Sequence, residues 1–482
     1  MNKIKFGTDG WRDIIADSFN FENLCIVINA IAKYLNEKNE NKNGIFIGYD
    51  NRFLSEEFAD FSAKILSAYD FKVFLSEKSI PTPVTAFNVL DMGLDGALMI
   101  TASHNPPKYN GIKFIPNYGG PATDVITVNI EENINYFINN REYLRNSSES
   151  IDKNIIILND YPNYYEQIRK IIDFGLIKKS GLRIAADMLY GAGMNIFPKI
   201  LDDVSANETR VLNNKRDALF GGKLPDPSEK NLTELKKIVL EKEFDIGVAL
   251  DGDADRFGAV DSTGVFLSPN NVIALILYYL CSVKGNKGSK LKAVRTVATT
   301  HLIDEICKKY NINLIETPVG FKYIAAEMIN GNVLIGGEES GGLSIKGHIP
   351  EKDGIVANLL LIEIQSYLKT NLNNISLSQY LNEINKELGY FYNERIDMEV
   401  PREKMEYIIN NFKEMKNNSI ENVKISNILT KDGVKLLMEN NAWALLRLSG
   451  TEPLIRCYIE SRDESFFDIF KQYIINFIKS LI

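Results

Sequence analysis

The stretch Ala97-Leu98-Met99-Ile100-Thr101-Ala102-Ser103-His104-Asn105-Pro106 joins an apolar run to a polar segment that contains proline. The apolar run is typical of a buried strand, and the Pro, Asn and Gly residues that follow cannot continue it. Ser103 is therefore predicted to lie in a loop at a strand end, where α/β folds place reactive groups. Acyl-transfer serines favour a Gly-x-Ser-x-Gly turn, but Ala102 and His104 flank this serine. We interpret Ser103 as a carrier of phosphate beside a divalent cation.

A second strand end carries three carboxylates in the sequence Asp251-Gly252-Asp253-Ala254-Asp255-Arg256. The preceding run, 245–250, is apolar and predicts a buried strand. Alternating carboxylates in an extended loop can turn toward one centre, and Mg²⁺ prefers oxygen ligands. An EF-hand would need Gly at the sixth position and Glu at the twelfth, where this chain has Arg256 and Ser262. A solvated acidic turn is the alternative, but like charges this close repel one another unless a cation lies among them.

Two glycine-containing segments predict substrate contacts of opposite character. The loop 336–342 carries Glu338 and Ser340, whose acceptor oxygens suit sugar hydroxyls better than phosphate; the alternative is a plain mobile turn. The segment Arg447-Leu448-Ser449-Gly450-Thr451-Glu452-Pro453, with Arg456, combines two arginines, hydroxyls and exposed backbone. That combination can hold phosphate in a bidentate manner, although a surface turn with an ion pair is equally compatible with it.

Several single cations and a histidine complete the candidate residues. His104 adjoins Ser103, and Lys113 follows ten residues later. Arg12 is predicted to lie in a tight loop, and Lys322 ends the stretch Thr-Pro-Val-Gly-Phe-Lys. Either Arg12 or Lys322 alone is more typical of a surface charge than of a ligand.

The composition restricts the class of protein. The 482 residues are 45% hydrophobic and 24% charged, as in ordinary soluble proteins of several domains. The net charge of −8 argues against a general nucleic-acid surface. The longest apolar run, 272–281, is too short to cross a bilayer, and the first residues lack the apolar core of a signal peptide. The four cysteines form no Cys-x-x-Cys pair. We expect a cytoplasmic protein with no nucleic-acid or membrane partner.

Strand-like and helix-like runs alternate three times along the chain before the pattern changes. The sequence predicts three related layered α/β domains and a smaller C-terminal α+β domain. The predicted domains carry, in order, the serine loop (101–106), the metal loop (251–256), the sugar loop (336–342) and the phosphate loop (447–453). Their predicted bounds are 1–145, 155–260, 261–370 and 385–482, with a polar linker at 145–152.

The ordered motifs at 101–106, 251–256, 337–341 and 447–453 resemble those of the α-D-phosphohexomutases, and the resemblance spans residues 6–456. It implies four domains around a central cleft. It also implies a phosphoserine at Ser103, and Mg²⁺ bound by that serine's phosphate with Asp251, Asp253 and Asp255. The remaining implied residues are Arg12, His104, Lys113 and Arg256 around the transfer site, Glu338, Ser340 and Lys322 at the sugar, and Arg447, Ser449, Gly450, Thr451 and Arg456 at the far phosphate.

The implied reaction interconverts hexose 1-phosphate and hexose 6-phosphate through a hexose 1,6-bisphosphate. Either Lys113 or His104 would transfer the proton of the sugar hydroxyl. Phosphoryl transfer depends on positioning and on neutralised charge, which Mg²⁺, Arg and Lys supply. The fourth domain is expected to move to admit and release the substrate. The oligomer is expected to be a monomer or a homodimer.

The sugar loop favours one branch of this family. It contains Glu338-Glu339-Ser340, whereas phosphoglucosamine mutases usually have Glu-Gln-Ser and many phosphomannomutase/phosphoglucomutase enzymes have Glu-Met-Ser. Glu339 and the Thr-Pro-Val-Gly-Phe-Lys stretch at 317–322 are more similar to glucose-type mutases, so we expect glucose as the hexose, with mannose as a second substrate. Asp13 also departs from the small residue that many members have after Arg12. The alternatives are a phosphoglucosamine mutase and a metal-dependent phosphoserine phosphomonoesterase that releases phosphate to water.

Overall fold

The computed structural model describes residues 4–7, 10–205, 207–417, 419–449 and 453–482, with backbone only for residues 416 and 417. The chain forms two compact units, and each is built from separated segments. The larger unit comprises Met1–Tyr279 and Gly320–Ser378, and the smaller one Leu280–Val319 and Gln379–Ile482. Among the described residues, no helix has both the length and the apolar character needed to span a membrane.

The first part of the larger unit alternates strands and helices. Its strands are β1 (Trp11–Ile14), β2 (Ile45–Tyr49), β3 (Val73–Ser76), β4 (Gly96–Ile100), β5 (Tyr109–Pro116) and β6 (Ile155–Leu158). Its helices are α1 (Phe21–Glu37), α2 (Ser55–Ala68), α3 (Thr82–Asp91) and α4 (Asp124–Asn139). The strands form one sheet in the order β1-β5-β4-β2-β3-β6. The predicted linker at 145–152 contains short 3₁₀ turns.

The centre of this sheet positions Ser103. Every residue of β4 is buried, because β2 pairs with it in parallel on one side and β5 pairs antiparallel on the other. Such a strand is apolar on both faces, as its sequence predicts. The register opposes Tyr49 to Ile100, so the chain leaves β2 and β4 at the same sheet edge. The residues that follow these two strands therefore lie close together.

The second part of the larger unit repeats the pattern with a five-stranded sheet, in the order β11-β10-β9-β7-β8. Its elements are α5 (Pro162–Ile171), α6 (Phe174–Ser180), β7 (Ile184–Asp187), α7 (Phe197–Val204), β8 (Thr209–Leu212), α8 (Thr233–Glu241), β9 (Ile246–Leu250), β10 (Phe257–Asp261) and β11 (Phe266–Leu267). The buried strand β9 ends directly before Asp251, and the antiparallel partner β10 begins directly after Arg256. The loop 251–256 is therefore a tight connection between two buried strands.

Later segments complete both units. Helix α9 (Pro269–Ser282) crosses the division between the units. The smaller unit then contains the parallel pair β12 (Lys292–Thr296) and β13 (Asn313–Thr317) with α10 (Leu302–Tyr310). The larger unit adds α11 (Phe321–Ile329), the antiparallel pair β14 (Val333–Glu338) and β15 (Gly342–Ile345), and α12 (Gly354–Asn371).

The rest of the chain follows α13 (Leu377–Leu388), which also crosses the division. An antiparallel sheet has the order β16-β21-β20-β19-β18-β17. Its strands are β16 (Tyr392–Glu399), β17 (Ser419–Ile420), β18 (Val423–Leu429), β19 (Val434–Met438), β20 (Trp443–Leu448) and β21 (Leu454–Ser461). Apolar residues of α14 (Arg402–Lys413) and α15 (Glu464–Leu481) share one buried cluster with this sheet. This is the α+β arrangement that the sequence predicts.

Two local predictions are wrong. Residues 336–338 are predicted as a loop, but they continue β14, with Gly337 opposite Leu343. Arg12 is predicted in a tight loop, but it lies in β1 opposite Gly111. In both places pairing with a neighbouring strand, which no local pattern shows, determines the backbone.

Candidate active site

Ser103 lies against the carboxylate loop. Its Oγ donates a hydrogen bond to Asp251 Oδ2 over 2.9 Å, and the residue is 1% exposed. Its backbone has φ +50°, a left-handed conformation that is costly for a residue with a side chain. Its backbone N–H donates to Thr101 Oγ1 over 2.8 Å. The predicted juxtaposition of the serine with the aspartate loop is therefore present.

The close approach of these two loops requires a glycine. A Cβ built on Gly252 would lie 2.5 Å from the carbonyl oxygen of Ser103, closer than carbon and oxygen can approach. Ala254 adopts φ +59°, which turns the loop back on itself between the second and third aspartates. The backbone is thus shaped so that alternate carboxylates face one region.

Asp251, Asp253 and Asp255 form a fully buried cluster, in which one ligand oxygen of each lies within 4.8 Å of the others. Oδ1 of Asp253 and Oδ1 of Asp255 are buried and make no hydrogen bond. A buried carboxylate oxygen without a partner is costly, and a hard cation with oxygen ligands would remove that cost. The donor set therefore fits Mg²⁺.

Two lysines face the same carboxylates. Lys113 Nζ donates to Asp253 Oδ2 over 2.8 Å and to Asp255 Oδ2 over 2.9 Å. Lys352 Nζ lies 2.9 Å from Asp255 Oδ2. Burial would raise the pKa of Asp255, but Lys113, Lys352 and Arg256 outweigh it and hold that pKa well below its usual range.

Asp251 has the opposite balance. Burial, followed by the charges of Asp253 and Asp255, raises the pKa of Asp251 well above its usual range. The bonds that it accepts come from Ser103 Oγ and from the backbone N–H of Arg256, at 3.0 Å. The protein therefore compensates the negative charge of Asp251 less than that of Asp255.

The predicted histidine and arginines adjoin the serine loop. His104 Nδ1 lies 3.4 Å from Ser103 Oγ. Burial, and then the nearby Arg256 and Arg12, lower the pKa of His104 well below its usual value, so its ring is neutral near pH 7. Arg12 Nη1 donates to Asn105 Oδ1 over 3.0 Å.

The predicted sugar residues are placed differently from one another. Glu338 ends β14 and is 6% exposed, and Ser340 Oγ donates to its Oε1 over 2.7 Å. Burial raises the pKa of Glu338. Lys322 lies in the first turn of α11, and its ammonium group forms a salt bridge with Asp124. The group that is predicted to contact the substrate is therefore paired with a carboxylate of the protein.

The predicted phosphate-binding residues belong to the smaller unit. Arg447 near the end of β20 lies directly opposite Arg456 of β21. Like charges at opposite positions destabilise a sheet, and a bound anion would relieve this repulsion. Arg447 Nε lies 2.9 Å from Asp432 Oδ1, and the backbone N–H of Ser449 donates to the carbonyl of Leu454. Gly450 and Thr451 lie outside the described residues.

Sequence reasoning missed several residues of the site. Thr82 Oγ1 donates to Asp253 Oδ2 over 2.6 Å, and Lys352 and Arg52 also contact the loops. Arg52 lies three residues after the end of β2, as Ser103 does after β4, so the strand-end pattern that identified Ser103 could have found it. Lys352 belongs to a Glu-Lys-Asp-Gly stretch between β15 and α12 that carries no such signal.

A buried serine against three carboxylates, surrounded by lysine and arginine, is the arrangement typical of an enzyme that transfers phosphoryl groups. Comparison with known proteins agrees. Sequence models of the four domains of phosphoglucomutase/phosphomannomutase match in order: α/β/α domain I at 3–140, domain II at 162–264, domain III at 268–387, and the C-terminal domain at 398–475.

Whole-length relatives support the same assignment. A phosphoglucomutase/phosphomannomutase of Thermococcus kodakarensis is 30% identical over 468 residues, 96% of each chain. A phosphoglucosamine/phosphogalactosamine mutase of Sulfurisphaera tokodaii is 30% identical over 469 residues, again 96% of each chain. A crystal structure of a Thermus thermophilus protein, named as a phosphomannomutase, superposes with a TM-score of 0.84 at 30% identity and covers 99% of each chain.

The chain belongs to the phosphoglucomutase/phosphomannomutase family of α-D-phosphohexomutases. Members of this family are intramolecular phosphotransferases, and this protein is one of them. The predicted family and the predicted fold class are both confirmed.

Proposed function

We propose that this enzyme interconverts glucose 1-phosphate and glucose 6-phosphate, with some activity on mannose phosphates, through a phosphoserine at Ser103 and a hexose 1,6-bisphosphate. The observation that carries this proposal is the 2.9 Å contact between Ser103 Oγ and the buried carboxylate loop at Asp251. A serine that only stabilised a turn would have no need of a buried cluster of three carboxylates beside its hydroxyl.

Each half of the reaction exchanges one phosphorus–oxygen bond for another. A hydroxyl oxygen of the hexose phosphate attacks the phosphorus on Ser103, the bond from phosphorus to Ser103 Oγ breaks, and the hydroxyl proton passes to a base. In the return step Ser103 Oγ attacks the other phosphate of the bisphosphate, and the proton returns to the departing sugar oxygen. His104, beside Ser103, and Lys113, held by two carboxylates, are the two candidates for that base.

The other side chains bind and orient. Asp251, Asp253 and Asp255 would hold Mg²⁺, which, when bound, neutralises charge on the transferring phosphoryl group. Arg12 and Arg256 lie beside this region and would hold phosphate oxygens. The paired Glu338 and Ser340 offer acceptors for sugar hydroxyls, and Lys322 would need to leave Asp124 to reach a substrate. Arg447 and Arg456, with Ser449, Gly450 and Thr451, would hold the phosphate that is not reacting.

The choice of sugar is tested by direct comparison. Relatives of equal identity act, by their names, on glucose, mannose, glucosamine and galactosamine phosphates, so overall identity does not select a substrate. The Glu338-Glu339-Ser340 loop favours glucose. Glucose, mannose and glucosamine 1-phosphates should be assayed in parallel with Mg²⁺ and a trace of the matching 1,6-bisphosphate. A higher kcat/KM for glucosamine phosphate than for glucose phosphate would contradict the proposed preference.

Ser103→Ala is expected to abolish turnover, since it removes the oxygen proposed to carry the phosphoryl group, and to leave the fold intact. Ser366→Ala is the matched control, because Ser366 is also fully buried, and its hydroxyl donates to a carbonyl within α12 and accepts from Ser180 Oγ. Full activity in Ser103→Ala would overturn the mechanism. Release of inorganic phosphate from glucose 1-phosphate by the wild type, without formation of glucose 6-phosphate, would instead indicate the phosphomonoesterase.

A further inference from the structure

One fully buried cation, Arg52, lies beside the loop that carries Ser103. The side chain of Arg52 is completely buried, its guanidinium lies over the Phe220 ring with the central carbon 5.0 Å from the ring centroid, and Asp50 lies 3.1 Å from its Nε. Burying a guanidinium is costly unless every N–H finds an acceptor. The acceptors of its hydrogen bonds therefore indicate the role of the buried guanidinium.

All five N–H donors of Arg52 have acceptors, and four of the acceptors are backbone carbonyls between Ser103 and Tyr109. Nη2 donates to the carbonyls of Ser103 and Asn105, over 2.6 and 2.7 Å. Nη1 donates to the carbonyls of Pro106 and Tyr109, each over 2.9 Å. Nε donates to Asp50 Oδ2. A planar fork with five donors can bind four carbonyls at once, whereas an ammonium has three donors on one nitrogen.

Asp50 extends the same network to the other end of the loop. Its Oδ2 accepts from Thr101 Oγ1 over 2.7 Å, and Thr101 Oγ1 in turn accepts from the backbone N–H of Ser103. The backbone of Ser103 is thus held on both sides, at its N–H through Thr101 and at its carbonyl by Arg52. Backbone strain of the kind seen at Ser103 persists only where surrounding contacts over-determine it.

The carbonyl that Arg52 holds also contacts the metal loop. The oxygen of Ser103 is the atom that a side chain at position 252 would strike, so it lies between the guanidinium and the backbone of Gly252. A shift of this carbonyl would change the distance between Ser103 Oγ and Asp251. Misplacement by about 1 Å can cost about a hundredfold in rate.

We propose that Arg52 is a positioning residue for phosphoryl transfer: its guanidinium fixes the carbonyls of residues 103–109 and thereby aims Ser103 Oγ at the carboxylate loop. The proposal rests on the proposed function of Ser103. It assigns to Arg52 no contact with substrate or metal.

Arg52→Lys tests this role, because it keeps the charge and removes the fork. The expected result is a kcat lowered about 10- to 100-fold, with KM for glucose 1-phosphate within about threefold of wild type. The rate at which Ser103 takes phosphate from glucose 1,6-bisphosphate, followed by intact-protein mass spectrometry, should fall by the same factor. Amide hydrogen exchange should become faster in 103–109, where the N–H groups of Asn105 and Tyr109 bond to Ala102 and Pro106.

Arg295→Lys is the matched control. Arg295 is also buried, at 3% exposed, and it binds Asp304, Glu316 and a backbone carbonyl within the smaller unit. This variant should lose thermal stability but keep kcat within about twofold of wild type. Asp50→Asn, which weakens one of the five bonds, should lower kcat less than Arg52→Lys does, and it serves if Arg52→Lys does not fold.

Three results would overturn the proposal: wild-type kcat in Arg52→Lys, a lowered kcat with unchanged exchange in 103–109, or an equal loss of kcat in Arg295→Lys. Hydrogen exchange is measured on the free protein, so it does not depend on catalytic activity. If the wild type fails to act on any of the three sugar phosphates, the proposed function falls, while exchange in 103–109 still decides whether Arg52 holds the loop.

Discussion

At the scale of single residues, the carboxylate cluster carries a cost that a cation would remove. Asp251, Asp253 and Asp255 are completely buried, and two of their oxygens make no hydrogen bond. The lysines at 113 and 352 compensate Asp253 and Asp255, but among the described residues the side chain of Asp251 accepts hydrogen bonds only from a serine hydroxyl and a backbone N–H. A bound cation should therefore gain much of its affinity from Asp251.

We expect Mg²⁺ to raise the thermal midpoint of the wild type but not that of Asp251→Asn. A ligand that binds only the folded state stabilises it by about 2.7 kcal/mol at a concentration a hundredfold above its Kd. Asparagine keeps the size and one oxygen but removes the negative charge. The measurement is thermal unfolding in EDTA and in saturating Mg²⁺.

Asp187→Asn provides the control for this change. Asp187 is also buried, at 1% exposed, and it ends the strand β7 of the same five-stranded sheet. It accepts from the N–H of Leu189 and from Asn213, so it has no position in the cluster. Its variant should keep the Mg²⁺-dependent rise, and an equal rise in Asp251→Asn would exclude Asp251 as a ligand.

At the scale of elements, the start of α12 connects the helix to the active site. Asp353 caps this helix by accepting from the N–H groups of Ile355 and Val356. Its other oxygen accepts from Tyr164 over 2.8 Å and from His348 over 2.7 Å. The preceding residue is Lys352, whose ammonium reaches Asp255. The cap therefore determines where this lysine leaves the backbone.

Asp353→Ala should lower the free energy of unfolding by about 2–4 kcal/mol. Loss of the cap accounts for about 1 kcal/mol of this, and the stranded Tyr164 and His348 account for about 1–3 kcal/mol. The kcat should fall as well, because Lys352 is no longer held toward Asp255. Urea unfolding and the mutase assay measure the two effects.

Asp463→Ala isolates the capping contribution. Asp463 caps α15 by accepting from the N–H of Phe466, and it is exposed. Its variant should lose about 1 kcal/mol and keep its kcat. If Asp353→Ala loses no more stability than Asp463→Ala, the buried bonds to Tyr164 and His348 contribute nothing.

Elements with a strong local pattern follow the sequence prediction, and elements without one do not. The apolar run before Ser103 forms β4, and the run before Asp251 forms β9. The extension of β14 through Gly336 and Gly337 could not be predicted, since glycine has no side chain to give a period of two. Arg12 lies in β1 because the chain pairs there with β5, and the local sequence around Arg12 does not show this partner strand.

At the scale of the whole molecule, each compact unit contains one of the two tryptophans. Trp11 is 2% exposed in the larger unit, and Trp443 is 1% exposed in the smaller one, where its Nε1 donates to Glu460. Buried tryptophans report unfolding through their fluorescence. The carboxylate cluster belongs to the larger unit, whereas Arg447 and Arg456 belong to the smaller one.

We expect Mg²⁺ to raise the unfolding midpoint reported by Trp11 and to leave that reported by Trp443 unchanged. Proteins of several domains need not unfold in one step, and a ligand stabilises the part that binds it. Trp443→Phe and Trp11→Phe leave one reporter each, and thermal unfolding is followed in EDTA and in Mg²⁺. Equal shifts of both reporters would show that the two units unfold as one.

The sequence alone specifies the chemistry that is available and much of its local setting. Serine, aspartate and arginine occur at strand ends, and strand ends are visible in sequence because apolar runs and turn residues act over a few positions. The order of the four motifs along the chain is sufficient to identify the family.

Only the tertiary structure decided which side chains meet. Ser103 reaches Asp251 across 148 positions of sequence, and Lys113 reaches Asp253 across 140. These contacts depend on strand order and on how two loops pack, which no local pattern encodes. For the same reason the sequence shows Arg52 near a strand end but not its partners, which are the carbonyls of the chain after Ser103 once β2 and β4 are paired.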